Sequence, residues 1–255
     1  MNRQIPIFFL LLVLITPPLF VHAEIPRFLR IGLAPGYAPM ESKNAQGELT
    51  GFDIDLTNEI CRRIQTKCIY IERDFNDLIP ALKSRQIDAI VSALSITKQR
   101  RQEIAFSEKL YASDARLIAL RGSSAMPDIS VLKGKKIGLV RGSTEQIYAD
   151  LYWRSYGIAI IPYVNQDQVY QDLLCGRLDA AFQDEVTAHA GFLDQPLGKP
   201  FAFAGPAVRE REIFGMGTAV GLPKNNHGLK KAIDDAIASM RQDGTYDKLA
   251  RKYFH

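Results

Sequence analysis

Leu82-Lys83-Ser84-Arg85-Gln86-Ile87-Asp88-Ala89 is echoed by Leu173-Leu174-Cys175-Gly176-Arg177-Leu178-Asp179-Ala180, and the fold follows from that echo. In each copy an apolar helical pattern ends in a turn and a buried strand begins, the strands being read over residues 89–94 and 180–183. A second echo pairs Arg30-Ile31-Gly32-Leu33 with Lys136-Ile137-Gly138-Leu139. Each follows a polar or turn-rich segment and precedes a glycine-containing loop, as the first strand of an α/β unit does. Short apolar runs alternating with helical patterns are how a parallel sheet covered on both faces reads. The expected fold class is therefore α/β with two lobes. The first lobe is expected to span residues 24–111 and 218–255, the second 116–208, with hinge crossings at 112–115 and 209–217. Two crossings imply that the lobes can close on one another.

In such sheets ligands sit beyond the carboxyl ends of the strands. Residues 34–37, 92–95, 141–144 and Asp184 are thereby expected to face one cleft. The bulk properties agree with a binding or catalytic globule. A chain of 255 residues can bury one large core or two small ones, and 47% hydrophobic with 24% charged residues excludes disorder and a polytopic membrane protein. The net charge of +4 is spread over interleaved Lys, Arg, Asp and Glu, as in residues 230–252, without the basic stripe that nucleic-acid binding needs. Zinc-ligand spacing, a calcium loop and a GxxxxGK phosphate loop are all missing from the sequence, so no metal or cofactor is expected.

The N-terminus points to export. Arg3 precedes the apolar residues 5–21, whose apolar core (7–15) is too short for a comfortable membrane span and is followed by Pro17, Pro18 and the small-x-small site Val21-His22-Ala23. Residues 1–23 are read as a cleaved signal peptide and the mature chain as periplasmic, the alternative being an uncleaved anchor. Export permits disulfides. Cys61 ends a helical pattern (Leu56, Ile60, Ile64), Cys68 begins a strand-like run, and a reversal at Thr66-Lys67 brings them together, either as a disulfide or as two buried thiols. Cys175 is left over and reads as a small core residue.

Tyr37-Ala38-Pro39, Gly51-Phe52-Asp53-Ile54-Asp55-Leu56, Leu94-Ser95-Ile96-Thr97, Glu103-Ile104-Ala105-Phe106-Ser107, Phe182-Gln183-Asp184-Glu185-Val186 and Asp243-Gly244-Thr245-Tyr246-Asp247-Lys248 follow one another along the chain. In that order they resemble the amino-acid-binding proteins of ABC importers (solute-binding protein family 3), above all the lysine/arginine/ornithine-binding and histidine-binding proteins, over essentially the whole mature chain. The resemblance implies a two-lobed periplasmic binding protein fold of type II with a two-stranded hinge. It also implies a monomer that holds a free amino acid between closing lobes and delivers it to an inner-membrane ABC permease, and a disulfide where Cys61 and Cys68 stand.

The family's clamp carries over residue by residue. Arg100 matches the arginine that forks onto the α-carboxylate, a task suited to a planar guanidinium with parallel donors. Thr144, with the Gly142-Ser143 backbone, matches donors to the same carboxylate, and Ser92 and Ser95 match polar groups near the ligand backbone. Asp184 matches the acid that holds the ammonium group. Without the resemblance, Arg100 reads as part of a solvated helix start and Asp184 as a capping acid. Tyr37 and Phe75 match aromatics that sandwich the ligand's stem, although Phe75 alone reads equally as a core aromatic.

Two positions depart from the family. Where the basic-amino-acid binders carry the aspartate of T-D-x-x-Y-A-P for the distal positive charge, this chain has Ala34, and Ala93 replaces a serine of the usual S-S-L-S run. Either Glu145, which stands where relatives usually have glutamine, supplies the missing charge for arginine, or the pocket has become longer and more apolar, for histidine, a modified amino acid or an opine. Arginine is the first expectation, and on it arginine affinity depends on Glu145. A rival reading is an enzyme resembling cyclohexadienyl dehydratases, which would need an acid or base over the substrate. His22, His189, His227 and His255 all lie outside the proposed cleft, so a binding protein is expected and not an enzyme.

Overall fold

Two aspartates at matching places start the two sheets of this protein. The computed structural model describes residues 25–254, so the signal peptide read over residues 1–23 lies outside the described residues. The first part of the chain forms β1 (Phe28–Leu33), a short ribbon of β2 (Ser42–Lys43) and β3 (Leu49–Thr50), then β4 (Lys67–Glu72), β5 (Ala89–Ile90) and β6 (Ala105–Phe106). There follow β7 (Ala115–Leu120), β8 (Lys136–Val140), β9 (Ala159–Tyr163), β10 (Ala180–Asp184), β11 (Phe201–Phe203) and β12 (Gly221–Leu222). One sheet has the order β4-β1-β5-β12-β6 and the other β11-β7-β10-β8-β9.

In the first sheet β1 runs parallel to β4 and β5; in the second β8 runs parallel to β9 and β10. Asp88, just before β5, accepts from the Arg30 amide through Oδ2 at 2.9 Å while its own amide donates to the Arg30 carbonyl at 2.8 Å. Asp179, just before β10, does the same to Lys136, at 2.8 and 2.9 Å. Each aspartate satisfies an amide at the point where the parallel ladder begins, and so holds the register. The glycines of the second echo serve the same joint. A Cβ on Gly32 would come within 2.3 Å of Ile87 Cδ1, and one on Gly138 within 2.3 Å of Leu178 Cδ1. Both strands must therefore be bare where the residue before the aspartate packs across them.

Two details depart from the sequence reading. Each sheet is mixed, because β12 pairs antiparallel with β5 and β6 and β7 pairs antiparallel with β10 and β11. The strand read over residues 89–94 stops at Ile90, since Ala93 takes a left-handed backbone (φ 45°) that no ladder accommodates. That early stop turns residues 92–95 into a loop.

The chain crosses between the sheets twice, and the crossings run side by side. The Leu110 amide donates to the Thr218 carbonyl at 2.8 Å, the Thr218 amide to Tyr111 at 2.9 Å, and the Val208 amide to Ala115 at 2.8 Å. The helix His227–Gln242 then returns to the first sheet, because its face Leu229, Ile233, Ile237 and Met240 has the spacing of one apolar stripe. It packs with Leu29, Ile31, Phe52, Leu56 and Ile60. Trp153, Leu139, Ile160 and Phe182 fill the second core.

The helix Phe52–Arg63 stops where Gln65 turns left-handed (φ 58°) and the Thr66 amide donates back to the Cys61 carbonyl at 3.0 Å. The reversal brings Cys68 beside Cys61, and the two form a disulfide with Cα atoms 6.0 Å apart. Cys175, read from the sequence as a core residue, is instead exposed. It caps the helix Gln166–Leu174 two residues past Leu173, the last residue of the buried face.

Closing so short a loop restricts the unfolded chain by about 2–3 kcal/mol. The double substitution Cys61→Ser, Cys68→Ser is expected to lower the melting temperature by about 5–10 °C, measured by calorimetry of the mature chain.

Candidate functional site

The carboxyl ends of β1, β5, β8 and β10 converge on one cavity between the lobes. Ala34, Tyr37, Phe75, Ser92, Ala93, Ser95, Arg100, Thr144, Glu145 and Asp184 all line it. The residues named one by one from the sequence are thus brought to the same place, whereas Pro35, Leu94, Arg141 and Gly142 of the strand-end segments are not in the lining.

Arg100 lies in the helix Lys98–Glu103, whose first turn is capped by Thr97 Oγ1 accepting from the Arg100 amide at 3.1 Å. Its neighbours 98, 99 and 101–103 are exposed, whereas Arg100 is only 7% exposed. The solvated-helix reading holds for the neighbours and fails for Arg100. One guanidinium nitrogen donates to the Ser95 carbonyl at 3.1 Å and the other to the Gly142 carbonyl, in the opposite lobe, at 3.2 Å. The Phe75 ring lies under the guanidinium, 5.4 Å from Cζ to centroid. Burial pulls its pKa down to about 10, with Glu145 opposing. A buried guanidinium hydrogen-bonded only to neutral carbonyls lacks a directly bonded anion.

Thr144 begins a helix, Thr144–Tyr152, capped by Ser143, and both residues line the cavity with Arg100. Thr144 Oγ1 donates to Glu145 Oε2 at 3.1 Å, and burial raises the Glu145 pKa. Asp184 is the capping acid read from the sequence, and it also lines the cavity. It caps the helix Glu185–Ala188, with Oδ1 accepting from the Thr187 amide at 3.0 Å. Burial pushes its pKa up to about 7, with the Glu145 charge adding to the rise. Thr187 Oγ1 also donates across the cleft to the Tyr37 hydroxyl at 3.2 Å, and the Gln166 amide to the Gly36 carbonyl at 3.1 Å. These bonds, with that of Arg100, describe a closed cleft.

Among the lining residues that escaped the sequence reading, three are buried and polar. Glu41 is 1% exposed, and its Oε1 accepts from Ser92 Oγ at 2.6 Å, the same hydroxyl that accepts from the Ala34 amide at 3.0 Å. Burial raises its pKa well above the ordinary range, with the Asp53 charge adding to the rise. Gln166 and Gln183 are each 2% exposed, and both carboxamide oxygens lack a protein partner. Gln166 follows β9, so the strand-end rule that found the other four segments finds this one when applied to a fifth strand. Nothing local marks Glu41, which reaches the site because the Gly36 and Tyr37 amides both fold onto its carbonyl.

Among the lining residues stand one guanidinium, Arg100, and three carboxyls, Glu41, Glu145 and Asp184. No cluster of metal-ligating side chains occurs among the described residues. Two lobes closed over buried donors, acceptors and unbalanced charges define a receptor for a small charged molecule. The chain belongs to the bacterial extracellular solute-binding proteins, family 3, whose model matches residues 29–255. It is 55% identical to the lysine/arginine/ornithine-binding periplasmic protein of Escherichia coli K12, over 91% of this chain and 90% of the relative. It is 53% identical to the histidine-binding periplasmic protein of Salmonella typhimurium, over 91% of this chain and 89% of the relative. Among solved structures it superposes with a TM-score of 0.82 on a Salmonella typhimurium periplasmic binding protein described for high arginine specificity, at 27% identity over 90% of this chain and 100% of the other.

A carboxyl whose pKa is raised by folding favours the protonated folded form, so Asp184 costs the closed state stability as pH rises from the ordinary carboxylate range towards 7. A cation held by Asp184 needs the ionised form. Affinity is therefore expected to fall as pH drops below about 7, approaching tenfold per unit for this group alone. Calorimetric titrations from pH 8 to 5 measure it, and Asp184→Asn is expected to flatten that part of the profile.

Proposed function

We propose that this chain is the periplasmic receptor of an ABC importer and binds a free basic L-amino acid, arginine before the others, in the closed cleft. The carrying observation is the charge count of the lining, three carboxyls against one guanidinium. A neutral zwitterion leaves that excess in place, since its carboxylate offsets its ammonium. A basic amino acid brings two cations and one anion, and buried charges are tolerated when paired.

In this reading the α-carboxylate lies against Arg100, the Thr144 hydroxyl and the amides that open its helix, and the α-ammonium against Asp184. Tyr37 and Phe75 flank the aliphatic stem, with Ser92, Ala93 and Ser95 along the loop beside it. Because Arg100 and Asp184 belong to opposite lobes, only closure completes the clamp, and ligand drives closure through its preference for that state. The moving bodies are residues 24–111 with 218–255 and residues 116–208, and the hinge is 112–115 with 209–217. The closed monomer delivers its ligand to an inner-membrane permease. The names of its relatives support a transport receptor over an enzyme, since each is a binding protein.

The test is thermal unfolding of the mature chain with arginine, lysine, ornithine, histidine, glutamine or octopine. At a hundredfold excess over its dissociation constant a ligand adds about 2.7 kcal/mol, a rise of about 5–10 °C in melting temperature. Arginine is expected to give the largest rise; a rise with glutamine or octopine alone, or with none, overturns the reading. Arg100→Ala is expected to weaken arginine about a hundredfold or more, because the carboxylate then stays buried without its partner.

A further inference from the structure

We propose that Glu41 is the acid that receives the distal cationic group of the bound amino acid, supplying from position 41 the charge that Ala34 lacks. The inference rests on the reading of a basic amino-acid ligand. Glu41 and Ala34 share one hydroxyl: Ser92 Oγ accepts from the Ala34 amide and donates to Glu41 Oε1. The carboxyl group thus sits two hydrogen bonds from the alanine, in the wall of the same cavity.

Among the described residues Ser92 donates to Glu41 Oε1, but no cation stands against the carboxyl. Glu41 Oε2 is buried without a partner, and the charge acting on it is that of Asp53, of the same sign. Asp53 has one oxygen held by the Ala93 amide at 2.8 Å and the other, Oδ1, free. Two buried carboxyls in each other's field do not both stay ionised unless a cation comes to them. Ala93 holds its strained left-handed backbone where that amide meets Asp53, so the pair is built into the loop that ends β5.

Glu145 is placed for another task. It is bonded to Thr144 at the helix start and lies within the field of Arg100 and Asp184, where the ligand's α-groups go. Around the cavity two further oxygens lack donors, those of the Gln166 and Gln183 side chains. One carboxylate charge with several free oxygens suits a guanidinium, whose five N–H groups lie in one plane, better than an ammonium with three.

The experiment compares arginine with citrulline, its neutral analogue of nearly the same shape, by calorimetric titration of the wild type, Glu41→Gln, Glu41→Ser and the double variant Ala34→Asp, Glu41→Gln. In Glu41→Gln and Glu41→Ser arginine is expected to weaken about a hundredfold, with citrulline within about threefold of wild type as evidence of an intact fold. Restoring a carboxylate at position 34 is expected to recover at least about tenfold of the arginine affinity. If both single variants keep the wild-type ratio of arginine to citrulline while Glu145→Gln loses it, the acid is Glu145 and the proposal falls. A wild type that binds neither arginine, lysine nor ornithine overturns the ligand reading itself, and this proposal with it.

Discussion

Arg100 joins the two lobes and sets the chemistry between them. Its guanidinium is buried, reaches the Ser95 carbonyl on one side of the cleft and the Gly142 carbonyl on the other, and rests on Phe75. Neutral carbonyls satisfy its donors in part, and Glu145 acts on its charge without a hydrogen bond to it. Everything else in the cavity is arranged about that imbalance. A helix start stands beside the guanidinium where a carboxylate would lie, and acids stand farther along where cations would lie. Closing the lobes on water alone buries one cation and three carboxyls in a poorly solvating space. The raised pKa values of Glu41, Glu145 and Asp184 are the physical statement of that cost.

The scaffold that presents these groups is a joint used twice. In each lobe an aspartate bonds to the neighbouring parallel strand, at Arg30 of β1 or Lys136 of β8, and the residue before it packs over a glycine in that strand. The joint fixes where each parallel ladder begins, and the far ends of those strands are the floor of the cleft. In the first lobe the strand after the joint is only two residues long. Its early end frees the Ser92–Ser95 loop to carry hydroxyl, amide and carbonyl groups into the site, at the cost of a strained Ala93.

Much of this was legible in the chain. The paired echoes disclosed two α/β lobes because a register-holding aspartate and a strand glycine are local requirements that leave a local signature. The strand-end rule and the resemblance together located Arg100, Thr144, Asp184, Tyr37 and Phe75, all of which line the cavity. The mixed pairing of the sheets was not legible, since a strand that returns from the other lobe carries no mark of its direction. Nor was the exposure of Cys175, because one residue past a helix end decides between core and solvent.

Sequence alone determined the two α/β lobes, the reversal that brings Cys61 near Cys68 and the strand-end segments that line the cavity, for these rest on periodicity, turns and near neighbours. Only the tertiary structure decided which acid stands near which end of the cavity. Glu145 is next to Thr144 in both sequence and space, but Glu41 is joined to Ala34 through Ser92, 51 residues on from Glu41. Electrostatic interaction depends on distance and on burial, and neither is written in the order of residues.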